Sequence, residues 1–251
     1  LKGGMQLVNF EKLAAIRTEL DFSSAKMATG GSASNTVNGI TKLGGVAGFV
    51  GKVGNDQVGA FFIDDSIQNG VMPHLTHSTN QYGICTVLVS KDGERTLCTY
   101  LGASSELEAT DLSAEIFQGY DIFHIEGYLV QNHALITEAV KLAKAYGLIV
   151  SIDLASYNVV EANLDFLKQL IFDYVDLVFA NEEEARAFTG KEPEDALIQL
   201  SERCKIAVVK IGKEGSYVRS GENQYFIAPF QADCVDTTGA GDLYAAGFLY
   251  G

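Results

Sequence analysis

The chain is short of positive charge, proline and long apolar runs, and each shortage excludes something. Lys and Arg number 18 against 32 Asp and Glu, a formal net charge of −14 that repels nucleic acid and anionic membranes, with no local basic patch to offset it. No eighteen consecutive apolar residues occur, and no leader of basic, apolar and small residues opens the sequence, so neither a membrane span nor a signal peptide is expected. Cys85, Cys98, Cys204 and Cys234 are widely spaced without a C-x-x-C pair, which speaks against a zinc site or a disulfide framework and for reduced thiols in a cytoplasmic enzyme. Common catalytic signatures are missing as well. Gly51 and Lys52 are followed by Val53, so no P-loop is present; no G-x-G-x-x-G follows a strand, and no G-x-S-x-G or H-E-x-x-H occurs. His74, His77, His124 and His133 form no ligand-spaced pair on a helix.

What is present is glycine, 26 of 251 residues against three prolines, which suggests turns and close approach of backbone to a ligand. Apolar residues at 47% and charged residues at 20% describe a globular protein, and the length fits a single large domain over 1–251. The sequence begins at Leu1 and stops at Gly251 inside a helical pattern, so the domain is expected to be incomplete at both ends.

The second half alternates regularly. Apolar, β-prone runs lie at 120–125, 148–152, 175–179 and 206–211, each separated by room for a helix. The helices at 132–146 and 161–174 carry apolar stripes, Leu135, Ile136, Ala139, Val140 and Ala143 in the first and Leu164, Leu167, Lys168 and Ile171 in the second. This pattern predicts an α/β fold with a mostly parallel sheet covered on both faces, and ligands beyond the carboxyl ends of its strands. In the first half a helix is expected over 31–43, a strand over 46–50, a helix over 55–68, and strands over 82–90 and 95–101 joined by a turn at 91–94. That antiparallel material, drawn from about 1–30 and 72–103, is expected to form a small β-sheet lid, whose exposed edge could pair two copies into a homodimer.

Four segments carry chemistry. Asp236, Thr237, Thr238, Gly239, Ala240, Gly241 and Asp242 run directly into an apolar helix. With Thr238 as N-cap, the amides of Gly239, Ala240 and Gly241 would offer an anion hole, and Asp242 could take a proton from an attacking hydroxyl; a plain capping arrangement fits equally. Asn181 and Glu184, one helical turn apart after the third of these strands, suit either a hydrated Mg²⁺ or an N-cap followed by dipole-favoured acids. Lys210, Gly212 and Gly215 follow the fourth strand, where the glycines permit either approach to a nucleotide or a tight turn. Gly30 and Gly31 open the first helix, with Asn35 one turn further in, able to exchange hydrogen bonds with sugar hydroxyls; a helix capped by Ser32 is the alternative.

Together and in this order, these segments resemble the ribokinase-like (PfkB-type) carbohydrate and nucleoside kinase family. The 236–242 segment followed by Ala246, Gly247 and Phe248 is similar to its C-terminal signature, and 30–35 with 51–56 to its N-terminal one. The resemblance implies a three-layer α/β/α sandwich with a β-sheet lid, and ATP-dependent phosphorylation of a hydroxymethyl group. It implies Asp242 as base with Gly239, Ala240 and Gly241 as anion hole, and Glu184 holding Mg²⁺ through water. Asn181, Lys210, Gly212 and Gly215 would lie on the ATP side. Gly30, Gly31 and Asn35 would lie on the acceptor side. At the end of the first strand run of the second half, Tyr128 suits stacking on a base, as in adenosine-kinase-like relatives, or else walls a sugar pocket or fills the core, and Glu126 suits a polyol instead. Asp236 and Thr238 stand where relatives bind a monovalent cation, so K⁺ activation is implied too. The acceptor is a small sugar or nucleoside. A catalytically silent binding relative and a vitamin-type kinase acting on a pyridine or pyrimidine alcohol are the alternatives.

Overall fold

A computed structural model of the chain describes residues 5–23, 25–92, 94–233 and 237–251. They fall into two compact units, Leu1–Leu107 with Gly241–Gly251, and Glu108–Ala240.

The first unit contains β1 (Met5–Leu7), α1 (Phe10–Glu19), α2 (Ser32–Lys42), β2 (Ala47–Gly54), α3 (Gln57–Gln68), β3 (Val71–Ser78), β4 (Ile84–Val89) and β5 (Arg95–Tyr100). Helices α1 and α3 start where short polar side chains can take orphan amides: Asn9 accepts from the Lys12 N–H, and Asp56 from those of Val58 and Gly59. β4 and β5 pair antiparallel, as the 82–101 pattern predicts, and β1 joins parallel to β5 to give the order β1-β5-β4. One face of this sheet buries Cys98 with Val8 and Leu13. β2 and β3 form a separate parallel pair. β2 extends beyond the expected 46–50 because Gly51 to Gly54 remain in register with Leu75 to Ser78.

The second unit contains β6 (Ile122–Glu126), α4 (His133–Ala145), β7 (Ile149–Asp153), α5 (Tyr157–Ala162), α6 (Leu164–Tyr174), β8 (Leu177–Asn181), α7 (Glu182–Thr189), α8 (Pro193–Ser201), β9 (Ile206–Lys210), β10 (Ser216–Ser220) and β11 (Asn223–Ile227). A last helix, α9 (Ala240–Tyr250), belongs from Gly241 onward to the first unit. The strand order is β11-β10-β9-β8-β7-β6, with β6 to β9 parallel and the last two strands antiparallel. Ile125, Val150, Ile152, Val178, Ala180, Ala207 and Val209 point from one sheet face into a core shared with Ile136, Val140, Leu167, Ile171, Leu197 and Leu200 of the helices. Each such Leu or Ile stabilises the fold by about 1.5–3 kcal/mol relative to exposure. The opposite face also buries its residues, Ser151, Phe179 and Val208 among them.

Two expectations change here. The helix expected over 161–174 is two helices, because Asn163 leaves helical geometry (φ −127°, ψ 24°) and ends α5 just before α6 begins. The apolar stripe of α6 then runs through Leu167, Leu170 and Ile171, and Lys168 stands in solvent. A cation at that position keeps its hydration, whereas Leu170 gains by burial.

Candidate functional site

The acid at the start of α9 is held from the side. The Asn35 amide Nδ2 donates to Asp242 Oδ2 at 2.8 Å, while the Thr36 hydroxyl, 3.1 Å from the Ser32 carbonyl of its own helix, lies 3.4 Å from the Asp242 carbonyl. A side chain as short as Asn35 reaches α9 because the two helices nearly touch. A Cβ on Gly39 would lie 2.6 Å from Ala246 Cβ and 3.1 Å from Leu243 Cδ2, so any larger residue would push α2 off α9. Gly31 is the N-cap of α2, with φ 100°. Ser32 is therefore the first helical residue and not the cap, which corrects the Ser32-capped alternative; no side chain caps this helix. Among the described residues, and apart from its chain neighbours, neither Gly30 nor Gly31 has an atom within 4 Å of where a Cβ would stand.

Ahead of α9 the chain makes a turn, not the expected Thr238 cap. The Ala240 N–H donates to the Thr237 carbonyl at 3.1 Å, and Gly239 sits between them at φ 76°. Positive φ at the third residue is the mark of a type II turn, the class that favours glycine there. Thr238 lies inside the turn, and the Ala240 amide is already bonded, in contrast to its expected place in an open anion hole. Asp236 and Cys234 lie outside the described residues, as does Gly93 in the β4–β5 turn.

A second cluster sits at the carboxyl edge of the parallel sheet. Glu126, Asp153, Asn181 and Lys210 are the last residues of β6, β7, β8 and β9, and the register sets Glu126 beside Asp153 and Asn181 beside Lys210. Lys210 Nζ meets Asp153 Oδ2 at 2.5 Å, both side chains being at least 85% buried. Burial alone would lower the Lys210 pKa, but the charges of Asp153, Glu184 and Glu126 outweigh it and raise it above the ordinary value.

Asn181 and Glu184 form a reciprocal cap: Asn181 Oδ1 accepts from the Glu184 N–H at 2.9 Å, and Glu184 Oε2 from the Asn181 N–H at 2.7 Å. The Asn181 amide donates to the other oxygen, Oε1, also at 2.7 Å. Glu184 is only 2% exposed, and burial together with the Asp153 charge pushes its pKa up to about 7, against the opposing pull of the Asn181 backbone N–H and the Lys210 charge. The capping reading and the ligand reading therefore fall on the same carboxylate.

The loops after these strands place the remaining candidates. Tyr128 lies in a 3-10 turn after β6 and is 44% exposed, so it does not fill the core. Gly212 and Gly215 bracket a short turn at φ 57° and 115°, closed by the Ile211 N–H donating to the Gly215 carbonyl at 2.9 Å. A Cβ on Gly215 would collide with the Ile227 carbonyl oxygen, so the turn into β10 by itself demands glycine there.

Sequence reasoning missed Asp153, His124, Ser151 and Gly39. For Asp153 a signal existed: an acid directly following the apolar run at 148–152 stands at a strand's carboxyl end. His124 pairs with Ser151 across β6 and β7, Nδ1 to Oγ at 3.0 Å, and neither is separable from its apolar neighbours by period alone. Gly39 shows only once two helices cross.

The chain matches the family model described as pfkB family carbohydrate kinase over residues 8–251. Among solved structures, an adenosine kinase from Sinorhizobium meliloti superposes with TM-score 0.88 at 35% identity, covering 100% of this chain and 78% of that one. A probable sugar kinase from Rhizobium etli CFN 42 superposes with TM-score 0.89 at 32% identity and the same coverages. A probable fructokinase-5 of Arabidopsis thaliana is 28% identical over 88% of this chain and 72% of its own. These likenesses carry the ribokinase-like α/β fold class. No helix among the described residues is long and apolar enough to cross a membrane.

Proposed function

The chain belongs to the pfkB family of carbohydrate kinases and is a phosphotransferase with an alcohol group as acceptor, and from that premise we propose that it transfers the γ-phosphoryl group of ATP to a hydroxymethyl group of a sugar or nucleoside. The observation that carries the reading is the 2.8 Å hydrogen bond from Asn35 to Asp242 in the first turn of α9. It fixes one carboxylate oxygen of an acid that follows directly on glycine and alanine, as a base for an incoming hydroxyl requires. On this reading Asp242 takes the proton as the acceptor oxygen attacks. The amides of Gly239 and Gly241 meet the charge on the transferring group, and the Ala240 amide holds the turn in shape. Asn181, Lys210, Gly212 and Gly215 serve the nucleotide, and Gly30, Gly31 and Asn35 the acceptor.

Mg²⁺ fits the sheet edge in a particular way. The donors there are carboxylates, the right chemistry for a hard cation, but no cluster of three acidic, His or Cys side chains forms a cage among the described residues. Both Glu184 oxygens are already hydrogen-bonded, so Glu184 and Asp153 would hold the ion through its water shell. When bound, Mg²⁺ supplies neutralisation of phosphate oxygens. Thr238 and Asp236 would bring a monovalent cation to the same family position, which a KCl titration of turnover tests.

Two observations bear on the acceptor. The buried carboxylate of Glu126 suits the hydroxyls of a sugar, and the half-exposed ring of Tyr128 suits a nucleobase. The S. meliloti adenosine kinase and the plant fructokinase stand on either side of that choice. ADP release measured with adenosine, fructose and ribose, with pyridoxal as the vitamin-type control, tests the whole reading. Turnover with adenosine or a sugar is expected; ADP release with pyridoxal alone, or with no acceptor at all, would contradict it.

A further inference from the structure

His124 has no role in the chemistry described above, yet it sits two residues before Glu126 on β6, so both side chains leave the same face of the sheet. Its ring is 12% exposed and its Nδ1 lies 3.0 Å from the hydroxyl oxygen of Ser151, which is fully buried. Nε2 is buried with no hydrogen-bond partner among the described residues, and Glu126 Oε1 lies 3.4 Å from it. Phe179 packs edge-on against the ring with centroids 6.1 Å apart.

From this geometry we infer that His124 is a positioning residue for the acceptor side of the reaction: Ser151 orients the imidazole, and the imidazole aims the Glu126 carboxylate. The inference rests on the reading of Glu126 as an acceptor ligand. One tautomer satisfies the arrangement. With the Ser151 hydroxyl donating to Nδ1, the proton resides on Nε2 and faces the carboxylate; with the reverse tautomer, a ring lone pair would face a buried negative charge. At 3.4 Å the imidazole stands within reach of the carboxylate oxygen it is to aim. Ser151 and His124 do not form a nucleophilic pair, because the hydroxyl lies fully buried in mid-strand.

The test separates aim from packing. His124→Leu keeps an apolar filler and removes the donor, whereas a glutamine amide can stand where Nε2–H stands. With adenosine or fructose as acceptor, whichever the chain turns over, the leucine variant should raise the acceptor KM about tenfold, the scale of one hydrogen bond to a charged group. Its kcat and ATP KM should stay within about twofold, and the glutamine variant should recover most of the loss. Equal behaviour of the two variants would overturn the inference. Glu126→Gln serves as the control on the premise. If it leaves the acceptor KM unchanged, the assignment of Glu126 fails; if it raises KM while His124→Leu does not, only the positioning role fails. In the unmutated chain, ¹⁵N shifts should show His124 protonated at Nε2 and not at Nδ1. The opposite tautomer would refute the arrangement whether or not the leucine variant folds.

Discussion

The two ends of the parallel sheet in the Glu108–Ala240 unit handle buried charge in opposite ways. At the amino end Asp176, just before β8, is clamped by Lys144 and by Lys205 at 2.9 Å, and accepts the Val150 N–H at 2.9 Å. Burial would raise its pKa, but the two lysines and the amide win and hold it below the usual value. At the carboxyl end one lysine, Lys210, faces Asp153, Glu184 and Glu126, and Glu184 is pushed up to about 7. An acid with two cations is a staple joining α4, β7, β8 and β9. Three acids around one cation leave their mutual repulsion only partly offset, and Glu184 keeps its proton to a higher pH than an ordinary carboxyl.

Breaking the carboxyl end should cost most. Lys210→Met leaves Asp153 and Glu184 buried without their counter-charge, so unfolding in urea should show a loss of about 3–5 kcal/mol, with ATP-dependent turnover falling alongside. Asp176→Asn at the other end should cost about 1–3 kcal/mol, for one charged group's hydrogen bonds, and leave the acceptor and ATP KM values where they were. Loss of turnover per folded molecule in Asp176→Asn would erase the distinction between staple and site.

The ends should also respond oppositely to pH. Asp176 has a lowered folded pKa, so its contribution is present above about 3.8, the ordinary value, and is lost as pH falls below it. Glu184 has a raised one, so the folded state keeps its proton between 4.5 and about 7. Its contribution is full below 4.5 and declines as pH rises through about 7. Urea midpoints from about pH 3 to 8 should show the second slope flattened in Glu184→Gln and the first in Asp176→Asn. The smallest effect is expected from Lys205→Ala, whose side chain is 79% exposed: under about 1 kcal/mol, the range of surface pairs.

Half of the carboxyl end is legible in the sequence. Strands buried on both faces announce themselves as apolar runs, and Asn181 with Glu184 announces a helix start, since both signals are local in sequence. Asp153 pairs with Lys210 across 57 positions, and His124 with Ser151 across 27, through strand register, which no local pattern encodes. The same division holds in the first unit. Asp242 stands out beside its glycines, while the demand for Gly39 arises only where α2 meets Ala246. The expected Thr238 cap failed for a further reason: a left-handed Gly239 let the chain close a turn before the helix.

Asp242→Asn tests the central claim most directly. The amide keeps the shape and can still bond to Asn35, but cannot accept the proton of an attacking hydroxyl. ADP formation with the accepted sugar or nucleoside should fall by about 10²–10⁴, while ATP binding followed by calorimetry stays close to that of the unmutated chain. Turnover at the ordinary rate in that variant would show that the acid at the head of α9 is not the base.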